Sequence, residues 1–189
     1  MPNAVIIRPR RDNDLPTLAD VLVRVHTVDG YPVEGVTDPG AWLHHPHELQ
    51  SWTAEVVGHP VGQITLAHAT ADDDAARVWH ERTGGDIGRL ALLVRLFVDP
   101  DHRGAGAGRL LMRTATEHAR TLNRSVAFDV MKKDHTAIRL YERMGATPIG
   151  DITHHHSHGL KELAVVYIAP TATGCLTAST VVQAMHEEG

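Results

Sequence analysis

The sequence predicts a single α/β domain in which helices cover a central β-sheet. A chain of 189 residues and 20.6 kDa is long enough for one domain with a hydrophobic core and too short for two domains of ordinary size. Its 42% hydrophobic and 22% charged residues are typical of a globular protein. Apolar runs of strand length also alternate with segments of helical periodicity. We assign residues 1–169 to this domain and residues 170–189 to a C-terminal tail.

The N-terminal half of the chain contains the patterns of a strand, a helix, a loop and a hairpin. A short apolar run favours the strand, and Asp14 is placed to cap the helix, whose first turn contains Pro16. The loop is rich in Gly, Pro, His and acidic residues, and Gly58-His59-Pro60 is typical of a turn between two strands. The predicted elements are a strand at 4–7, a helix from 14 to about 28, a loop over 29–50 with one short helix at 41–45, and a hairpin of 52–57 and 61–69.

The C-terminal half predicts further strands that alternate with helices. A nearly continuous apolar run, broken by Arg95, is expected of a central strand that is covered on both faces. Apolar residues then recur at helical spacing after Gly108, and Gly145 is favourable just beyond the end of a second helix. The predicted elements are a polar segment at 72–88 with room for a short helix, strands at 90–98, 125–130, 147–152 and 163–168, and helices at 108–122 and 135–144.

Bulk properties argue against several classes of function. The formal charge of -5 and the dispersed basic residues argue against nucleic-acid binding. No apolar run approaches the roughly 20 residues of a membrane-spanning helix, and the N-terminus lacks the apolar stretch of a signal peptide, so we expect a cytoplasmic protein without membrane contact. The only cysteine, Cys175, excludes a disulfide framework or a cysteine metal cluster within one chain. The oligomeric state stays open, with a homodimer among the alternatives.

A glycine-rich segment between the strand at 90–98 and the following helix is predicted to bind an anion. Backbone N–H groups point outward at the positive end of a helix dipole, and glycines remove the side chains that would keep a pyrophosphate away from them. Two arginines offer charge-assisted hydrogen bonds to the same anion. The segment consists of Arg103, Gly104, Ala105, Gly106, Ala107, Gly108 and Arg109.

Spacing distinguishes three kinds of phosphate-binding loop. A P-loop needs Gly-Lys followed by Ser or Thr, whereas Arg109 follows the last glycine here. The dinucleotide pattern Gly-x-Gly-x-x-Gly can start at either of two glycines, and its third position is then occupied by a residue other than glycine. Asp129, at the end of the next strand, stands where a ribose-binding acid is expected in that fold, so NAD binding stays open as a minor alternative.

The third kind is the loop of the GNAT acetyltransferases, which the segment LFVDPDHRGAGAGRLLM resembles. The Arg/Gln-x-x-Gly-x-Gly/Ala signature of that family is matched at Arg103, Gly106 and Gly108. A second signature, Asn-x-x-Ala-x-x-Leu-Tyr-Glu-x-x-Gly-Phe, is matched over residues 134–146 with two departures. The two signatures stand in the family's order and separation, and the resemblance is specific from residue 96 to residue 145.

The resemblance implies acetyl-CoA as the acetyl donor and a mixed sheet that is splayed between its fourth and fifth strands, with helices on both faces. The pantetheine arm then lies in the V between the strands at 90–98 and 125–130 and pairs with backbone groups of the former. Asp134 takes the place of the Asn that usually steadies the pantetheine, and Ala146 replaces the usual Phe. The cofactor-binding residues implied outside the glycine-rich segment are Leu96, Phe97, Val98, Asp134 and Ala137.

The resemblance also implies two catalytic groups. Tyr141 matches the tyrosine that protonates the leaving thiolate, a role that suits a phenol with a reference pKa of about 10. A bulge in the strand at 90–98 directs an N–H near Leu96 at the thioester carbonyl and stabilises the developing oxyanion. That strand contains no Asp or Glu to deprotonate the amine. The base is left open among Glu34, Glu55, the histidines between 154 and 158, and a water relay.

The acceptor is the least specified part of the predicted enzyme. Acidic residues after the first helix, Asp29, Glu34 and Asp38, favour a cationic acceptor if they line the pocket. We expect direct attack by a small primary amine in a ternary complex. A protein N-terminus or lysine is the alternative acceptor, and a noncatalytic acyl-CoA-binding module is the alternative of a different class. Histidines at 44–47 and 154–158 are interpreted as polar loops rather than metal sites, because neighbouring side chains of an extended chain alternate in direction.

Overall fold

The computed structural model describes residues 4–155 and 159–170. Within these residues it contains seven β-strands and five α-helices. In chain order they are β1 Val5–Pro9, α1 Leu15–Asp29, α2 Pro39–Trp42, β2 Glu48–Val56, β3 His59–His68, α3 Asp74–Thr83, β4 Leu90–Val98, α4 Ala107–Thr121, β5 Ser125–Met131, α5 His135–Arg143, β6 Thr147–His155 and β7 Lys161–Ile168. Apart from Pro170, the tail assigned to residues 170–189 lies outside the described residues, and so does Cys175.

The strands form one sheet in the order β1-β2-β3-β4-β5-β7-β6. All neighbouring strands are antiparallel except β4 and β5, which are parallel. This parallel pairing extends only from Leu90 with Ser125 to Leu92 with Ala127. Beyond Leu92 the two strands separate and leave a V-shaped opening, which we call the V. The expected mixed sheet, splayed between its fourth and fifth strands, is confirmed.

A β-bulge interrupts β4 beside the V. Gln63 of β3 pairs with Phe97 and Thr65 pairs with Val94, so two residues of β4 lie opposite Ile64 alone. These two residues are Arg95 and Leu96, and Arg95 has a φ of 56°. The bulge therefore occurs where the family resemblance implies one, next to Leu96.

Helices cover both faces of the sheet. α4 and α5 lie on one face, where Leu111, Ala115 and Ala119 are fully buried as their helical spacing predicts. On the other face, α1 packs on β4 through Phe97, and α3 packs over β5 to β7. None of the helices in the described part of the chain combines the length and the apolar character needed to cross a membrane.

The hairpin turn is tighter than the sequence predicts. β2 and β3 are joined by Val57 and Gly58, whose φ angles of 49° and 80° are those of a two-residue turn that follows the strand twist. His59 and Pro60, expected in the turn, therefore belong to β3 and pair with the end of β2.

Two short helices also differ from the expected segments. α2 begins at Pro39 rather than at residue 41, because the Asp38 carboxylate accepts a hydrogen bond from the Ala41 N–H at 2.9 Å and Pro39 suits the first position of a helix. The polar segment at 72–88 contains α3, which buries Ala75 and Trp79 against the sheet.

Candidate active site

The glycine-rich loop leads directly into the N-terminus of α4. Gly104 and Gly106 have φ angles of 81° and 85°, and a Cβ placed on either would meet no atom within 4 Å. The first backbone bond of the helix runs from the Leu110 N–H to the Gly106 carbonyl at 3.0 Å, so the N–H groups of residues 107–109 lie ahead of it without intrahelical acceptors. Ala105 is exposed and the Ala107 side chain is buried in the core. Open space and outward N–H groups fit a pyrophosphate at this loop.

The two arginines of the loop have different surroundings. Arg103 donates to the Asp29 carboxylate at 2.5 and 3.2 Å and to the Val98 carbonyl at 3.2 Å. Its guanidinium thus ties the loop to the end of α1 as well as to β4. Arg109 is exposed at the start of α4 and lines a cleft between α4 and α5, where its charge is available to an anion.

The edge of β4 that borders the V offers backbone groups to a ligand. The Asp99 N–H donates to the Val61 carbonyl at 2.7 Å, and the Phe97 carbonyl lies 2.6 Å from the place of a Cβ on Gly62, so both point toward β3. Because the N–H and C=O of a trans peptide point in opposite directions, the Val98 N–H and C=O face the V. Of the three expected residues, the structure therefore directs Val98 to the V and the Phe97 carbonyl to β3, and Leu96 belongs to the bulge.

Tyr141 lies on α5 with its ring buried against β5. The ring makes an edge-to-face contact with Phe128 at a centroid distance of 4.8 Å and is 9% exposed. Burial raises the pKa of Tyr141, and the nearby carboxylates of Asp134 and Asp129 raise it further. The phenol therefore keeps its proton at neutral pH, as a proton donor must.

Asp134 and Ala137 lie at the start of α5. Asp134 occupies the N-cap position without a side-chain capping bond, and Ala137 packs partly buried against the core. Partial desolvation and the charge of Asp29 raise the pKa of Asp134. An ionised carboxylate at this position accepts hydrogen bonds, whereas the side-chain amide of the usual Asn can also donate them.

Aromatic side chains line the α1 face beside the bulge. Trp42 contacts Tyr31 at a centroid distance of 5.7 Å and Phe97 at 6.2 Å. The Arg95 guanidinium lies over the Trp42 ring, 5.0 Å from its centroid. Burial strongly raises the pKa of Tyr31, which stays neutral. We call these four residues, Tyr31, Trp42, Arg95 and Phe97, the acceptor pocket, after the role that we propose for them below.

The candidate bases fall into different parts of the structure. His154 Nε2 lies 2.6 Å from the Asp129 Oδ2, and this hydrogen bond raises the pKa of His154. The charge of Asp129 also raises the pKa of both Tyr31 and Tyr141. Glu34 accepts a hydrogen bond from Trp42 Nε1 at 2.8 Å.

Glu55 lies far from the V, since it bonds Arg8 at 2.7 Å on the β1 side of the sheet. His156 and His158 lie outside the described residues. Asp129, the proposed ribose ligand of the NAD alternative, is instead engaged with His154.

Sequence reasoning missed most of the acceptor side. Tyr31 and Trp42 occur in a loop without regular periodicity, and only the structure brings them against β4. Arg95 was visible as the single charge in an apolar strand, which is a signal that sequence alone offers for a functional side chain. In the described part of the chain, no group of three or more His, Cys, Asp or Glu residues is arranged to hold a metal ion.

Solved structures share this fold at low sequence identity. Arabidopsis thaliana NAA60 in complex with acetyl-CoA matches with a TM-score of 0.65 and 18% identity, over 87% of this chain and 97% of that chain. The ribosomal-protein-alanine N-acetyltransferase from Brucella melitensis matches with 0.66 and 17%, over 86% and 98%. Salmonella typhimurium yncA with its cofactor acetyl-CoA matches with 0.66 and 16%, over 93% and 99%. None of the curated proteins compared with this chain matches it.

A family model described as the acetyltransferase (GNAT) family matches residues 16–146, which is more than half of the chain and includes the glycine-rich loop, the V and α5. The chain therefore belongs to the acetyltransferase (GNAT) family and is an acyltransferase with acetyl-CoA as its acetyl donor.

Proposed function

We propose that this protein acetylates the primary amine of a small molecule by direct attack of the amine in a ternary complex. The observation that carries the proposal is the V between β4 and β5, which has the glycine-rich loop at one end and the acceptor pocket beside the bulge. Donor and acceptor can therefore approach the same stretch of β4 from different sides. Acetyl-CoA supplies the acetyl group as an activated thioester.

The donor is held by backbone groups over most of its length. The N–H groups of residues 104–109 bind the pyrophosphate, with Arg109 and, once released from Asp29, Arg103 adding charge. Val98 and Leu96 pair with the pantetheine arm, and Asp134 and Ala137 border it from α5. The N–H at the bulge, near Leu96, binds the carbonyl oxygen of the thioester and stabilises the negative charge that develops there.

Tyr141 donates a proton to the departing thiolate. Its buried position keeps the phenol neutral, and a general acid must be protonated before it acts. The edge-to-face contact with Phe128 fixes the ring and so directs its hydroxyl.

His154 accepts the proton of the attacking amine. The Asp129 carboxylate, 2.6 Å away, orients the imidazole and stabilises the imidazolium that forms. This orienting partner supports the choice of His154 among the candidate bases. The same bond raises the pKa of His154, so the reaction needs a pH above the ordinary value of about 6.5 for a histidine.

Aromatic side chains are packed closely around the bulge, and this packing limits the size of the acceptor. Trp42 contacts both Tyr31 and Phe97 beside β4, at centroid distances of 5.7 and 6.2 Å, and Leu43 of the same cluster is fully buried. Packed rings at this position favour a small amine over a folded protein surface. The Brucella neighbour is named for acetylation of a ribosomal-protein alanine, so short peptides belong in the same test.

The test is a screen of small amines and short peptides with acetyl-CoA, in which free thiol release and the mass of the acetylated product are both recorded. We expect products from small primary amines and initial-rate patterns that intersect, as for a ternary complex. Products from peptides alone would replace the small molecule by a protein N-terminus or lysine. Parallel rate patterns together with an acetylated enzyme would contradict direct attack.

A further inference from the structure

We propose that Arg95 binds a carboxylate of the acceptor, so that this enzyme acetylates amines that also carry a carboxylate group. The inference rests on the proposed function and adds the chemical class of the substrate to it. The Arg95 guanidinium lies at the acceptor pocket, and its buried Nη1 atom has no hydrogen-bond partner among the described residues.

The Arg95 Nη1 atom is buried, and none of the described residues accepts a hydrogen bond from it. A guanidinium carries five N–H donors in a plane and stays protonated in proteins. Its one ring contact is the face of Trp42, which orients the plane but offers no oxygen acceptor. A buried donor without a partner is costly, and a ligand that brings two oxygens recovers that cost.

Two carboxylates have charges that act on Arg95, and both are hydrogen-bonded to other groups. Glu48 is bonded by Arg10 at 3.1 Å, and Glu34 accepts the Trp42 Nε1–H at 2.8 Å. Their charges still act on Arg95, so the pocket already contains negative charge. The same charges repel every anion, but they repel a doubly charged phosphate about twice as strongly as a carboxylate, so a carboxylate is the more suitable partner for the single guanidinium.

The bulge gives Arg95 its position relative to the reaction. With a φ of 56°, the residue holds a backbone conformation that glycine adopts more readily, yet a long cationic side chain occupies it. The next residue is Leu96, the second residue of the bulge, whose amide we assign to the thioester carbonyl. A carboxylate held by Arg95 therefore brings an amine a few bonds away to the place of transfer.

The experiment compares matched acceptors in the wild type and in three variants. α-, β- and γ-amino acids are assayed beside their own carboxamides, which keep the amine and the shape but lose the charge. Arg95→Met keeps a side chain over Trp42 without the charge, and Arg95→Lys keeps the charge without the fork. Arg77→Met, on α3, is the control for loss of an arginine elsewhere. The same pairs are tested for thermal stabilisation of the enzyme saturated with CoA, which needs no turnover.

We expect the wild type and Arg77→Met to prefer at least one carboxylate over its carboxamide by more than about tenfold in kcat/KM, because an unpaired site donor penalises the analogue. Arg95→Met should abolish this preference by lowering kcat/KM for the carboxylate much more than for the carboxamide, and Arg95→Lys should be intermediate. A purely structural role of Arg95 would lower both rates together and leave their ratio unchanged, which would overturn the proposal.

The two proposals fail in different ways. Turnover of amines with no preference for carboxylates overturns the carboxylate site and leaves the acetyltransferase of small amines intact. Absence of turnover, combined with stabilisation of the wild type but not of Arg95→Met by the carboxylates, keeps the site and overturns the proposed reaction. Neither turnover nor stabilisation by any carboxylate overturns both.

Discussion

The proposed donor side and the proposed acceptor side of the site are built in different ways. The donor side comes from one continuous stretch, β4, the glycine-rich loop, α4, β5 and α5, and presents mainly backbone groups. The acceptor side gathers side chains from four separate segments: Tyr31 and Trp42 before β2, Arg95 on β4, Asp129 on β5 and His154 on β6. Backbone groups hold one ligand common to the family, whereas side chains can be exchanged to suit different acceptors.

The largest expected effect tests the backbone character of the donor side. Gly106→Val places a branched side chain at a φ of 85° in the open space of the loop, where it obstructs the pyrophosphate. Acetyl-CoA at 100 times its dissociation constant should stabilise the wild type by about 2.7 kcal/mol. We expect Gly106→Val to lose this stabilisation, as measured by thermal unfolding with and without acetyl-CoA.

Gly58→Val is the matched control, since Gly58 has a φ of 80° and open space but lies in the hairpin turn. It should show similar strain and keep the response to acetyl-CoA. Equal loss of the response in both variants would assign the effect to backbone strain. Stabilisation of the wild type by NAD and not by acetyl-CoA or CoA would favour NAD over acetyl-CoA as the ligand of the loop.

The next prediction concerns the one side chain of the donor side that is assigned to catalysis. Tyr141→Phe removes only a hydroxyl, so kcat should fall about 10²- to 10⁴-fold, the range for a positioned proton donor, with little change in acetyl-CoA affinity. Tyr167→Phe is the control, because Tyr167 also stacks on Phe128, at 5.7 Å, and donates its hydroxyl to Glu142. Rates within about threefold of wild type for both variants, with chemistry rate-limiting, would mean that another group protonates the thiolate.

The sequence predicts the contiguous donor side better than the acceptor side, whose residues are distant in the chain. Helical spacing places Leu111, Ala115 and Ala119 in the core, and two signatures locate the loop and Tyr141, because local patterns determine elements that a contiguous chain forms. The splay of β4 and β5 followed from the family resemblance and is confirmed. The pairing of Asp129 with His154 and the contact of Arg95 with Trp42 join residues distant in the chain, so no local pattern indicates them. The roles of the site residues remain predictions.

A third prediction tests the side-chain character of the acceptor side through pH. The base acts when neutral, so kcat should rise with pH through the pKa of His154, which the bond to Asp129 raises above its ordinary value of about 6.5. Asp129→Asn removes the main cause of this shift, and the acidic limb of the pH–rate profile should move to lower pH. His154→Gln should lower kcat by about 10²-fold and abolish the limb.

The pH dependence of the unfolding free energy is an independent test of the same His154–Asp129 pair. Because the pKa of His154 is raised on folding, the pair stabilises the native state fully below the unfolded value of about 6.5 and loses that contribution as the pH rises through the folded value. The difference in unfolding free energy between wild type and Asp129→Asn should therefore shrink from pH 6 upward. An acidic limb that stays in place in Asp129→Asn would show that the limb belongs to another group.

The smallest expected effect concerns the link between the two sides. Arg103 of the donor loop and Asp29 at the end of α1 form an ion pair whose side chains are 43% and 36% exposed, and such pairs contribute about 0.2–1 kcal/mol. Asp29→Asn should thus lower the unfolding free energy by no more than about 1 kcal/mol, as measured by denaturant titration.

The same substitution also releases Arg103, which we assign to the pyrophosphate. Acetyl-CoA should therefore bind up to about fivefold more tightly, the equivalent of about 1 kcal/mol. Arg103→Met should weaken binding, and the double variant should bind as Arg103→Met does, because the benefit of removing Asp29 needs the arginine. If neither single substitution changes the affinity, Arg103 has only a structural role in holding the loop to α1, and the anion is bound by the backbone N–H groups and Arg109.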